Sequence, residues 1–174
     1  MMRFFHKNTD SKGFSLVETL IAIGILVTGI SAPLTIAQTG LRYAHYAQDS
    51  LTAQMLTIEA IEYMRNVRDD NFIDNNTWTQ NMRVNGDPFR VDTVRDVVED
   101  CAESCQEDFI SFDSENKLYS YQSGGGWMPS TFSRAVEIDQ INSQEIIVRA
   151  TVWWSRDNHD YSYTAREYLL NWHE

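Results

Sequence analysis

The chain has 174 residues and a formal net charge of −11, with 25 Asp and Glu against 14 Lys and Arg. Its length suits one globular domain plus an added segment. So acidic a chain argues against unspecific nucleic-acid binding, which needs clustered Lys and Arg, although a small local basic patch stays compatible with it.

Residues 1–13, MMRFFHKNTDSKG, set Arg3, Lys7 and Lys12 against Asp10. Phe14 to Ala37 then reads FSLVETLIAIGILVTGISAPLTIA, 24 residues with a single charge, Glu18. As helix this run is roughly 36 Å long, enough to cross a bilayer. A secretory signal peptide has a shorter apolar core of about 7–15 residues and a small-residue cleavage site on its far side. Here the run is longer, no Ala-x-Ala site closes it, and the break in character falls on the near side, at Lys12-Gly13-Phe14. An ionised carboxylate in hydrocarbon costs on the order of 3 kcal/mol or more. Nothing in the preceding residues marks Glu18 as a helix-end residue. The sequence therefore predicts a carboxylate within the span, either uncharged or met by a positive group.

From Leu41 to Arg68 there is no proline, and the pattern predicts that the helix continues. Leu51, Met55, Ile58, Met64 and Val67 form an apolar stripe suited to one buried face. The helix is expected to end near Asp69-Asp70-Asn71, where turn formers cluster. Residues 71–88 read as a connecting loop. After it the period becomes two. FRVDTVRDV (89–97) alternates in part, and FISFD (109–113) with KLYSYQ (117–122) flanks a Ser-Glu-Asn turn as a hairpin. Triple glycine at Gly124-Gly125-Gly126 marks a flexible join. RAVEIDQI (134–141) and EIIVRATVWWS (145–155) flank a second short turn. In the latter strand Ile146, Val148, Ala150, Val152 and Trp154 share one face, and Arg149, Thr151, Trp153 and Ser155 the other. A polar turn, Arg156 to Asp160, leads to YSYTAREYLLNW (161–172). The fold class expected is α+β, a long N-terminal helix packed on an antiparallel sheet.

KGFSLVE followed directly by a span-length apolar stretch resembles the N-terminus of type IV pilins and pseudopilins. The family pattern is a short basic leader, a glycine, a hydrophobic first mature residue and a glutamate fifth after the cut. Lys12, Gly13, Phe14 and Glu18 supply these four elements. The resemblance covers about residues 7–45. It implies that a prepilin peptidase cuts between Gly13 and Phe14 and methylates the new amino terminus, and that Glu18 serves assembly with other pilin subunits. It further implies a leader (1–13), a membrane-spanning and polymerisation helix (14–37), an amphipathic continuation (38–70) and a globular antiparallel β domain (71–174), the pilin-like arrangement. The basic leader stays in the cytoplasm by the positive-inside rule, which sends the chain beyond about residue 38 outward from the cytoplasmic membrane. Gly24, Gly29 and Pro33 weaken the helix. By resemblance, the stretch around 29–33 is helical in the subunit and extended in a filament.

Cys101 and Cys105, in CAESC, are the only cysteines. Their spacing allows a disulfide, which an exported domain can keep, and leaves free thiols or a metal site as alternatives. Two cysteines without a nearby His pair are too few for a structural zinc site. Asp69, Asp70, Asn71 and Asp74, and Asp157, Asn158 and Asp160, raise calcium as an alternative to solvated turns, but neither group has the EF-hand spacing. Aromatics gather in the last two strands at Trp153, Trp154, Tyr161, Tyr163, Tyr168 and Trp172. They build cross-strand pairs or a partner surface, with Trp153 the best candidate for an exposed contact. No nucleophile, metalloprotease or phosphate-loop motif is present. The chain reads as a non-enzyme without cofactor: a minor pilin or pseudopilin whose partners are the peptidase, fellow subunits and the membrane. The alternative is a single-span anchored binding or sensor domain that never polymerises.

Overall fold

A computed structural model describes residues 13–172. It has one helix and seven strands: α1 (Leu16–Ile73), β1 (Phe89–Asp92), β2 (Val97–Asp100), β3 (Phe109–Asp113), β4 (Leu118–Ser120), β5 (Trp127–Asn142), β6 (Glu145–Arg156) and β7 (His159–Leu170). The fold is α+β, a long N-terminal helix and an antiparallel sheet. The chain divides into two units, one through His45 and one from Tyr46 onward.

In the first unit α1 is unbroken across the apolar run although Pro33 lies inside it and brings no N–H to the Gly29 carbonyl. Each hydroxyl of the run is satisfied locally, as an apolar surrounding demands. Thr19 donates to the Leu16 carbonyl (2.8 Å), Thr28 to those of Gly24 and Ile25 (3.0 Å each), Ser31 to Thr28 (3.0 Å) and Thr35 to Ser31 (3.0 Å). The helix is long and apolar enough to cross a membrane.

In the second unit the sheet is built on β5. The β1–β2 and β3–β4 hairpins pair with β5, β6 pairs with β5, and β7 pairs with β6. The expected face of β6 is the core face: Ile146, Val148, Ala150 and Val152 are fully buried and Trp154 nearly so. The helix face that meets the sheet differs from the expected one. Leu51, Met55 and Ile58 are 61%, 71% and 54% exposed, whereas Ala53, Leu56, Thr57, Ala60, Ile61 and Met64 are buried. Of the expected stripe, Met64 is in the core and Val67 packs partly against it. The buried side sets the small Ala53, Thr57 and Ala60 among the larger Leu56, Ile61 and Met64, which pack with the sheet residues into two clusters.

Other elements depart from the expected bounds or add to them. The helix ends at Ile73, because Asn71 turns inward and its amide donates to the carbonyls of Trp78 (3.2 Å) and Gln80 (2.9 Å). The loop that follows is part of the core, since it inserts Trp78 and Met82. Residues 89–97 are not one strand but β1, a turn and the start of β2. The cause is Asp92, whose carboxylate accepts from the backbone N–H groups of Val94 (3.1 Å) and Arg95 (3.2 Å) and so folds the chain back. β5 also begins at Trp127, seven residues ahead of Arg134, straight after the glycine turn, where all three glycines have positive φ.

Asp92 is 1% exposed and also accepts from Arg95 Nε (2.8 Å), Ser120 Oγ (2.7 Å) and Tyr121 N (3.0 Å). Burial pushes its pKa up, but the hydrogen bonds from Arg95, Ser120 and Tyr121 outweigh burial and hold it below the ordinary value of 3.8. A carboxyl with a depressed folded pKa contributes stability that is fully present above the unfolded pKa and is lost as pH falls through the folded one. Asp92→Asn is therefore expected to cost about 1.5–3 kcal/mol at neutral pH. The gap between wild type and variant should narrow below pH 4. Urea unfolding at a series of pH values checks this, and a gap independent of pH would refute it.

Candidate functional site

The segment singled out by sequence stands clear of the rest of its unit. Gly13, Phe14 and Ser15 precede the helix in non-helical conformation, and Gly13 is exposed. A Cβ built at Gly13 meets nothing within 4 Å among the described residues. No contact among the described residues requires glycine at this position. Phe14 is 75% exposed. The Gly13-Phe14 peptide bond lies ahead of the helix, between two exposed residues. Residues 1–12, which carry Arg3, Lys7, Lys12 and His6 of the basic leader, lie outside the described residues.

Glu18 is placed differently from the sequence expectation. Ser15 Oγ accepts from the Glu18 backbone N–H (3.2 Å), and the Ser15 carbonyl accepts from Thr19 N (3.1 Å). Ser15 is thus the N-cap, and Glu18 lies in the first turn at the helix end. Ser-Leu-Val-Glu has the spacing of a capping box, with the glutamate at the third helical position. A carboxylate there also faces the positive end of the helix dipole. The signal was legible in the sequence, but the length of the apolar run hid it.

Cys101 and Cys105 form a disulfide with Cα atoms 5.0 Å apart, which sets aside the free-thiol and metal alternatives. The bridged loop is fixed on both flanks. Ser133 Oγ on β5 donates to the Gln106 carbonyl (2.8 Å). Arg90 on β1 binds Asp108 (2.6 Å) and Glu99 (2.7 Å). In this cluster, hydrogen bonds from Arg95 and then Arg90 hold the Glu99 carboxyl below the usual carboxylate range.

The acidic groups do not gather around a common point. Asp69 pairs with Arg68 (2.8 Å), the Asn71 amide is spent on loop carbonyls, and Asp160 accepts from Ser155 (2.6 Å). Asp157 and Asn158 are the two positive-φ residues of the β6–β7 turn. Among the described residues, no set of three or more His, Cys, Asp and Glu is placed to hold a metal ion. The aromatics divide by face. Trp154 is buried and stacks on Tyr161 (5.5 Å between centroids), Trp153 is half-buried on the opposite face, and Trp172 is 65% exposed.

Sequence reasoning missed two ionic anchors. Arg134 is 1% exposed on the core face of β5, where its guanidinium donates to the carbonyls of Leu56 (2.8 Å) and Val91. Its alternation with Val136 and Ile138 was the available signal. Asp49 on α1 binds Arg156 at the end of β6 in bidentate fashion, a pair that no local pattern reveals. No protein-family model, curated protein or solved structure matches this chain significantly.

Proposed function

We propose that this chain is a structural subunit of a type IV pilus or a pilus-like secretion or uptake filament, a minor pilin or pseudopilin matured by a prepilin peptidase. The carrying observation is the accessible Gly13-Phe14 junction directly ahead of a span-length helix with Glu18 in its first turn. In this proposal α1 anchors the subunit once in the cytoplasmic membrane, with the N-terminus inside, until it enters the filament. The apolar strip of Leu51, Met55 and Ile58 supports the same reading. It lies beyond the membrane-spanning stretch, is left open by the subunit's own sheet, and offers a neighbouring subunit a surface to cover.

A second reading, a single-span anchored domain that does not polymerise, gains support from the capped first turn. A carboxylate at a helix N-terminus is useful to any anchor. The open strip and the glycine junction are what a plain anchor does not need.

Processing tests the proposal. The mature chain is expected to begin at N-methyl-Phe14. Gly13→Val should yield an uncut, membrane-retained precursor in cells with an active peptidase. Because a Cβ at 13 meets nothing within 4 Å among the described residues, a blocked cut is expected to reflect the peptidase rather than misfolding. Intact mass of the membrane-extracted protein reads the outcome. A native chain still carrying Met1 or Met2 would overturn the family assignment.

A further inference from the structure

The outer face of β5, away from the core, carries a groove. Small residues make its floor: Ser133 and Ala135 are buried there at 1% and 3% exposure. Trp153, paired in register with Ser133, stands along one side. The disulfide loop from Cys101 to Gln106 stands along the other, tied down by the Ser133 hydroxyl. The cavity between them measures about 520 Å³. A second one of about 270 Å³ shares Trp153 and Gln106 with it and runs on toward Phe109 and Tyr161. Together they form an extended slot rather than a closed pocket.

The charge of this slot is of one sign. Asp87, Asp100, Glu103 and Glu137 line the first cavity, Asp100 already paired with Arg83, and Glu107 and Asp160 line the second; among the described residues no Lys, Arg or His lines either. Glu137 is shared with Arg149, but Asp87, Glu103 and Glu107 have no cation partner among the described residues. Elsewhere in the unit several carboxylates, among them Asp49, Asp92, Asp108, Glu62 and Glu167, each meet an arginine. An aromatic wall beside unmatched carboxylates is the chemistry that takes a flat cation, because the ring face attracts it and the carboxylates supply its hydrogen-bond acceptors. Guanidinium suits the slot better than ammonium, being planar and more weakly hydrated. Anionic headgroups and nucleic acid are repelled. The disulfide acquires a role here as well. A bridge across so short a loop restrains the unfolded chain little, yet it holds the wall opposite Trp153 in place.

We propose that this groove docks an arginine-bearing segment of a partner protein, with a guanidinium on the Trp153 ring and Glu103 and Glu137 around it. The inference does not depend on polymerisation and applies to either reading of the anchor. The test is fluorescence anisotropy of a labelled, end-blocked tri-arginine peptide titrated with the full chain in neutral detergent. Saturable binding that weakens with added salt is expected. Trp153→Ala should weaken it about five-fold or more. Glu103→Gln, at an exposed position that the fold does not use, should weaken it about three-fold. A variant carrying Asp69→Asn and Asp74→Asn, at the end of α1, should bind like wild type. Trp153→Phe replaces Trp153→Ala if the latter does not fold, with a smaller loss. Absence of saturable binding would overturn the proposal. So would full affinity in the Trp153 variants, or a loss in the Asp69/Asp74 variant equal to that of Glu103→Gln, since either outcome means attraction to overall charge rather than to the groove.

Discussion

Glu18→Ala is expected to leave the amount of this chain in membranes unchanged and to lower its share in sheared filaments by ten-fold or more. In a filament the Glu18 carboxylate would lie near the free amine of Phe14 on an adjacent subunit, away from water. Removing one partner of a buried ion pair costs about 3–5 kcal/mol, because the other charge is left unpaired. Membrane insertion does not need the carboxylate and should persist, as should the cut after Gly13. The capped first turn calls for a second variant. Glu18→Gln keeps a residue suited to the third position of a capping box but removes the charge. If pairing with the amine is the role, Glu18→Gln assembles as poorly as Glu18→Ala. If capping is the role, Glu18→Gln assembles like wild type while Glu18→Ala does not, and pairing of Glu18 with the amine is refuted. Met55→Glu completes the set. It places a charge on the open strip at a residue 71% exposed, so the domain should keep its stability while filament incorporation falls. The measurement is the ratio of subunit in sheared filaments to subunit in membranes for each variant.

Arg134→Met is expected to destabilise the outer domain by about 2–4 kcal/mol, the largest stability effect anticipated for a single side chain here. The Arg134 guanidinium joins three elements. It donates to the Leu56 carbonyl on α1 and the Val91 carbonyl on β1 from its own place on β5, with Glu59 Oε1 at 3.6 Å. Methionine keeps most of the volume, so the loss measures polar groups rather than a cavity. Two carbonyl contacts disappear with nothing to replace them. Some of the cost is returned, because Arg134 Nε has no hydrogen-bond partner and is itself a buried burden. Arg134→Lys should fall between, since one ammonium cannot reproduce the two-pronged geometry. Glu59→Gln should cost under about 1 kcal/mol, because the Glu59 side chain is 36% exposed and solvent screens the pair. Urea unfolding of the full chain in neutral detergent, followed by tryptophan fluorescence, measures all three. An Arg134→Met variant within about 0.5 kcal/mol of wild type would mean that the guanidinium is not a structural tie.

Several elements are legible in the amino-acid sequence because their determinants are local. The apolar run from Phe14 to Ala37 announces a spanning helix by length and composition. The alternation from Ile146 to Trp154 announces a half-buried strand and even its buried face. Both hairpins around β3–β4 and β5–β6 lie where short polar turns separate strand-like runs. The glycine junction and Glu18 are readable as a pattern of spacing, and the spacing of Cys101 and Cys105 allows the disulfide that the structure shows.

The remaining features depend on what a residue meets, and that is settled between segments far apart in the chain. Periodicity offers α1 an apolar stripe, but the sheet accepts the side with Ala53, Leu56, Thr57, Ala60, Ile61 and Met64. Leu51, Met55 and Ile58 are left outward by that choice. Asp92 reads as an ordinary strand residue until Ser120 and Tyr121, nearly thirty positions later, arrive to complete its hydrogen bonds. Arg134 can occupy a core position only because the Leu56 and Val91 carbonyls converge on it. The groove beside Trp153 exists because the disulfide loop folds over β5. Sequence alone determined the spanning helix and the main strands and turns, since those follow from short-range backbone preference and period, while the split at Asp92 and the early start of β5 needed the fold. Tertiary structure decided which faces are buried and which charges are paired, since desolvation and hydrogen-bond partners are supplied by distant parts of the chain.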